Sequence, residues 1–85
     1  MGYVYVIQHS IAKQIYIGFT TNLKQRVADH NRNKTRATQR RSGRWLLIYT
    51  EVYRNKEDAM EREKRLKHYG SAKHELLKRI KRCLI

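Results

Sequence analysis

YVYVIQHSIAKQIYIG, residues 3–18, is the stretch whose reading decides the fold. Tyr3 to Ile7 and Ile15 to Gly18 are short apolar runs rich in β-branched and aromatic residues, and the segment Gln8 to Gln14 between them is mainly polar. That pattern predicts a β-hairpin that sets Tyr5 and Tyr16 on neighbouring strands. Val4 and Val6 alternate with Tyr3, Tyr5 and Ile7, so the first strand is apolar on both faces. A strand of that kind belongs mid-sheet, covered above and below.

Beyond the hairpin, Thr21 or Asn22 is placed to cap a helix that runs to about Asn31, with Leu23 and Val27 as its inward stripe and Lys24, Gln25 and Asp29 facing solvent. From Arg32 to Arg44 apolar residues are nearly absent while Arg32, Lys34, Arg36, Arg40, Arg41 and Arg44 accumulate, which marks an exposed basic loop ending at Ser42-Gly43. Trp45 to Tyr53 gives the strongest strand signal of the chain. Asn55 then caps a helix with Glu57 and Asp58 in its positive first turn, and Gly70 is placed to end it. Ala72, Leu76, Leu77, Ile80 and Leu84 outline a last amphipathic helix. The order ββαβαα predicts an α+β fold, a three-stranded antiparallel sheet flanked by helices, over residues 1–85 as a single domain.

Charge narrows the function. Twenty Lys and Arg against seven Asp and Glu leave a formal net charge of +13 on 85 residues, a self-repulsion that a polyanionic partner relieves. Nucleic acid is the leading candidate. Contacts are expected from the basic loop and from Lys73 and Lys78 on the last helix, and they should fall on phosphates, because this spacing offers charge without a base-reading element. No run approaches the roughly 18 apolar residues of a spanning helix and no secretory leader is evident, so a cytoplasmic location is expected. A single cysteine, Cys83, forms no internal disulfide, and the four histidines lack zinc-ligand spacing with it, so no structural zinc is expected.

Glu63 stands out by position alone. At 100° per residue it falls within the apolar arc that Ala59, Met60 and Leu66 define on the helix starting near Lys56, while Glu61 points the opposite way. A carboxylate there needs a compensating cation, either a metal ion or an ion-pair partner such as Arg26 or Lys67. Arg26 and His30, four apart, share one helical face beside Leu23 and Val27. An arginine in that place can hold a phosphate in a two-pronged grip, and a histidine can orient a tyrosine or relay a proton; a solvated edge charge and a simply hydrogen-bonded histidine are the plainer readings. Tyr5 and Tyr16 gain significance only from this company, since a phenol with a reference pKa near 10 serves as a base only where cations stabilise its phenolate. Gly18 either lets a phosphate approach the strand end or allows the turn into the helix.

The two tyrosine tripeptides Tyr3-Val4-Tyr5 and Tyr16-Ile17-Gly18, the stretch from Thr20 to Asn31, and the segment from Ala59 to Lys67 resemble GIY-YIG nuclease domains, small stand-alone bacterial members in particular, over nearly the whole chain. The resemblance implies a GIY-YIG-like fold and a metal-dependent endonuclease acting on DNA, with branched or nicked substrates in repair or recombination among the family's habits. It implies that Tyr16 activates the attacking water, that Tyr5 supports it, that Arg26 holds the scissile phosphate, and that His30 occupies a position where the family carries Tyr or His. Glu63 would ligate one divalent ion, Mg2+ or Mn2+. Three departures are visible: Tyr3 replaces the leading glycine of the first motif, Phe19 stands where repair-type relatives carry Lys, and no late Asn is evident. The alternatives are a non-catalytic nucleic-acid-binding module on a degenerate nuclease fold, and a basic structural protein bound to RNA or a ribosome, which leaves Glu63 unexplained.

Overall fold

A computed structural model describes residues 1–33, 38, 39 and 42–85. The hairpin forms as expected, with both strands longer than the apolar runs: β1 spans Gly2–His9 and β2 spans Ile15–Thr20. Pairing carries them through Gln8 and Thr20 because backbone hydrogen bonds do not depend on side-chain polarity. A nine-residue helix, α1 (Leu23–Asn31), follows under an Asn22 cap whose side chain accepts from the Gln25 N–H. Strand β3 (Trp45–Tyr53), helix α2 (Lys56–His68, capped by Asn55) and helix α3 (Gly70–Arg79) complete the fold, with a short 3-10 turn at Lys81–Cys83. The sheet is antiparallel in the order β2-β1-β3, so β1 is central.

The two apolar faces of β1 found separate partners. Val4 and Val6 pack with Ile17, Ala59, Leu66, Leu76 and Ile80 beneath α2 and α3. Tyr5 and Ile7 pack with Trp45 on the other face, against Leu23 and Val27 of α1. Trp45 reaches that face through a β-bulge: the register shifts between Val6, which pairs with Tyr49, and Ile7, which pairs with Leu47. Ile48 is the extra residue. It reverses the alternation, so Trp45 and Tyr49, four apart, lie on opposite faces. Asn31 then pins the strand start, accepting from the Trp45 N–H at 2.7 Å and donating to its carbonyl at 3.0 Å.

Two local expectations change. Gly70 does not terminate α2 in a left-handed turn; Tyr69 is the extended joint between α2 and α3, and Gly70 opens the next helix. The stretch from Arg32 to Arg44 is not uniformly exposed either. Thr38 is buried, and its carbonyl accepts from the Trp45 indole N–H at 2.7 Å, so the segment is tied down to the core at this point. Among the described residues no helix is long and apolar enough to cross a membrane.

Candidate active site, a cleft where four elements meet

Helix α2 lies across the central strand, and its successive residues Arg62 and Glu63 point to opposite sides of the sheet's width. Glu63 leans over β2, where a cleft of about 290 Å3 is lined by Tyr5, Tyr16, Phe19, Arg26, Met60, Glu63, Lys64 and Lys67. Four of the five residues singled out from the sequence for catalysis therefore line one cavity, delivered by β1, β2, α1 and α2. The fifth, His30, is fully buried behind Tyr5.

Gly18 makes this arrangement possible. It pairs with Tyr5 across the hairpin, and a Cβ on it would run into the Tyr5 hydroxyl and ring. Its smallness serves the neighbouring phenol, a third role beside the two read from the sequence. The Tyr5 hydroxyl lies 2.7 Å from His30 Nε2, and His30 Nδ1 lies 2.6 Å from Thr38 Oγ1. Burial, helped by the nearby Arg26 charge, pushes the His30 imidazole below its ordinary value, so it is neutral and donates from one nitrogen only. Arg26 lines the same cleft as Tyr5, and the nearness of that phenol holds its guanidinium all the more firmly protonated. A neutral imidazole donates from one nitrogen and accepts at the other, so Tyr5 and Thr38 take opposite roles towards His30.

Burial pushes Tyr5 up to about 12 despite the opposing pull of Arg26. Tyr5 is thus a protonated phenol, locked against His30. Tyr16 differs: it is only half-buried, its ring stands 6.3 Å from that of Tyr5 and 5.1 Å from that of His30, and the Lys67 ammonium sits 5.1 Å from its centroid. Of the two phenols it is the one free to meet a water. Arg26 Nε is buried with no partner, an unspent donor of the kind an incoming phosphate oxygen satisfies.

Glu63 sits at the rim of the buried stripe. Its side chain is 19% exposed, Met60 beside it is largely exposed, and Lys67 pairs with it at 2.8 Å. An ion pair, the alternative read from the sequence, is therefore present. The residues nonetheless suit a divalent ion of the magnesium type, which keeps several waters and takes one or two carboxylates together with substrate phosphate oxygens. Glu63 offers one such carboxylate on an open cleft. Among the described residues no group of three or more His, Cys, Asp or Glu converges, so an all-protein cage is not on offer there.

Of the expected phosphate contacts, Arg32, Arg44, Lys73 and Lys78 are exposed, and Lys73 lines a second, smaller cleft that shares Tyr16 and Lys67 with the first. Lys34, Arg36, Arg40 and Arg41 lie outside the described residues. Sequence reasoning missed three cleft residues, Lys64, Lys67 as a wall, and Phe19 as part of the lining, and it missed Thr38. A signal for Lys67 was present, since Glu63 and Lys67 are four apart in the favourable order. None announced Thr38.

The family model described as the GIY-YIG catalytic domain matches residues 1–75. A UPF0213 protein of Halobacterium salinarum is 38% identical over 77 residues, covering 91% of this chain and 99% of that protein. Another, of Staphylococcus haemolyticus, is 32% identical over 68 residues, 80% of this chain and 82% of that one. The solution NMR structure of a UPF0213 protein from Bacillus halodurans aligns with a TM-score of 0.56 at 32% identity, over 95% of this chain and 86% of that chain.

Proposed function

Since this chain belongs to the GIY-YIG family, with the nuclease-type fold that membership carries, we propose that it is a divalent-metal-dependent endonuclease that hydrolyses DNA phosphodiester bonds. The observation that carries the reading is the meeting of Tyr16, Arg26 and Glu63 in one open cleft. In this reading the scissile phosphate enters between Arg26 and Glu63, and the Arg26 guanidinium takes a non-bridging oxygen and counters the charge that grows on it. Tyr5, locked against His30, lines the same cleft as that guanidinium. Tyr16 accepts the proton of the attacking water, with the Lys67 ammonium 5.1 Å from its ring centroid. When bound at Glu63, a magnesium or manganese ion supplies Lewis-acid stabilisation of the phosphate. The net charge of +13 draws the polyanion to the cleft, with Lys73 and Lys78 as further phosphate contacts.

One observation favours a non-catalytic nucleic-acid-binding module instead: Glu63 already has a cation, Lys67. A single assay separates the readings. Duplex, single-stranded, nicked and branched DNAs are incubated with the protein in magnesium, in manganese and in chelator. Cleavage that needs the ion and is abolished by Glu63→Ala, with binding largely kept, supports the nuclease; binding of every DNA with no cut in either metal supports the module.

A further inference from the structure

Lys67 belongs to both clefts at once. Its Nζ lies 2.8 Å from Glu63 Oε2 in the first, and its side chain forms a wall of the second, about 200 Å3, with Ile15, Tyr16, Ile17, Leu66 and Lys73. That second space has an apolar floor and two ammonium groups at its rim. It therefore has the surfaces a nucleotide needs: something for a base or sugar to lie on, and cations for a phosphate. The Lys67 side chain is 42% exposed while Glu63 is far more covered, so the lysine is the member of the pair able to swing. An i,i+4 pair at such exposure is weakly held.

We propose that Lys67 is a movable counter-ion: it neutralises Glu63 in the free protein and crosses to a phosphate in the adjoining cleft when nucleic acid binds, so that a divalent ion gains Glu63 only as the polyanion arrives. The inference rests on the nuclease reading and adds to it a nucleotide-binding subsite beside Tyr16 and an order of events. The charges in the first cleft agree with it. Arg26, Lys64 and Lys67 surround one carboxylate there, a net positive field that opposes a free divalent cation until phosphates enter. An ammonium held against Glu63 repels a divalent ion at the same carboxylate and draws on the charge that would hold it, so each weakens the binding of the other. Linkage then makes the coupling reciprocal: whatever draws Lys67 away tightens the ion, and the ion, by releasing Lys67, tightens the nucleic acid.

The test measures Mn2+ binding to the protein without DNA by isothermal titration calorimetry. Lys67→Met keeps the unbranched stem and removes the charge. Its Mn2+ affinity should rise by about tenfold, and the gain should vanish when Glu63→Gln is added to the same chain. Lys64→Met removes an equal charge from the same cleft without touching the pair and should give a clearly smaller rise. Equal affinity in the parent and Lys67→Met, or an equal rise in Lys64→Met, overturns the displacement while leaving the nuclease reading intact. Mn2+ binding that survives Glu63→Gln in every background removes Glu63 as the metal ligand, and both readings lose that part. Circular dichroism of each variant checks that the fold is kept.

Discussion

Two clusters in this protein are built from nearly the same side chains, a glutamate, an arginine and two tyrosines, and only one of them is open to chemistry. On the β3 side, Glu51 accepts from Arg62 Nε and Nη2 at 3.0 and 3.1 Å and from the Tyr53 and Tyr49 hydroxyls at 2.7 and 2.9 Å. Every near lone pair of that carboxylate is used. On the β2 side, among the described residues, Glu63 pairs with Lys67, Arg26 keeps a buried nitrogen with no partner, and Tyr16 stands half-exposed beside them. The neighbouring residues Arg62 and Glu63 of α2 serve the two clusters separately. Residue types do not distinguish a structural cluster from a candidate site; unspent hydrogen-bonding capacity on an open cleft does.

The largest expected effect separates the phenols. Tyr16→Phe keeps the ring and the fold but removes the proposed base, so the DNA cleavage rate should fall by about 10²-fold or more. Tyr53→Phe removes a hydroxyl that only satisfies Glu51 and should leave the rate within about twofold, at some cost in melting temperature. Single-turnover cleavage of both variants is the measurement. A Tyr53→Phe protein as slow as Tyr16→Phe would dissolve the distinction between the clusters.

Stability should respond in the opposite sense. Arg62→Met strips Glu51 of its bidentate partner and leaves a poorly compensated, largely buried carboxylate. Loss of one partner from a fully buried pair costs about 3–5 kcal/mol. Arg62 is 28% exposed, so about 2 kcal/mol is the better expectation, or on the order of 10 °C in melting temperature for a domain of this size. Lys67→Met, which breaks the exposed pair of the cleft, should shift the melting temperature by less than a third of that. Thermal denaturation followed by circular dichroism decides it.

The legible part of this architecture was the part that repeats along the chain. Short apolar runs at residues 3–7 and 15–18, the β-branched and aromatic run at 45–53 and the apolar stripes of the helices gave the three strands, the central place of β1 and the cover on both its faces. Glu63 was legible from the helix period, whereas Tyr5, Tyr16 and Arg26 stood out through their company and the resemblance to GIY-YIG domains; the cleft gathers all four. What stayed hidden depended on contacts far apart in sequence. The β-bulge at Ile48 is a single extra residue that leaves the apolar pattern of β3 unbroken, and the Glu51 cluster joins β3 to α2 through polar groups that read individually as surface. Thr38 sits in a stretch whose composition says loop, yet its side chain completes the chain Tyr5–His30–Thr38.

Acid should undo the two sides in turn. His30 is depressed below its ordinary value of 6.5, chiefly by burial, so the unfolded chain takes up its proton first and stability falls as pH drops below about 6.5, until the folded value is passed. Burial alone would raise Glu51, but hydrogen bonds from Arg62, Tyr53 and Tyr49 outweigh it and hold the carboxyl below its ordinary 4.5. Its contribution is present above that value and is lost only as pH falls through the lower folded one. Urea denaturation across this range should therefore show an earlier loss that His30→Gln flattens and a later one that Arg62→Met flattens. A His30→Gln protein with the parental profile between pH 6.5 and 4.5 would mean that its burial carries no proton linkage.

The smallest effect is the sharpest control on reading a helix face. Glu61 and Glu63 are two apart on α2, both carry an i,i+4 cationic partner, and the pairs differ mainly in where they point. Glu61 and Arg65 meet at 3.5 Å with 67% and 63% of their side chains exposed, a geometry in which water screens most of the attraction. Glu61→Ala should change stability by no more than about 0.5 kcal/mol, helped by the better helix propensity of alanine, and should leave the cleavage rate and its metal requirement at the parental level. Glu63→Ala, two residues on, should abolish cleavage. The same substitution at both positions, assayed side by side for melting temperature and for cutting, isolates direction as the single variable. Loss of cutting in Glu61→Ala with Glu63→Ala unaffected would place the working carboxylate on the outer face of α2 and away from Tyr16 and Arg26.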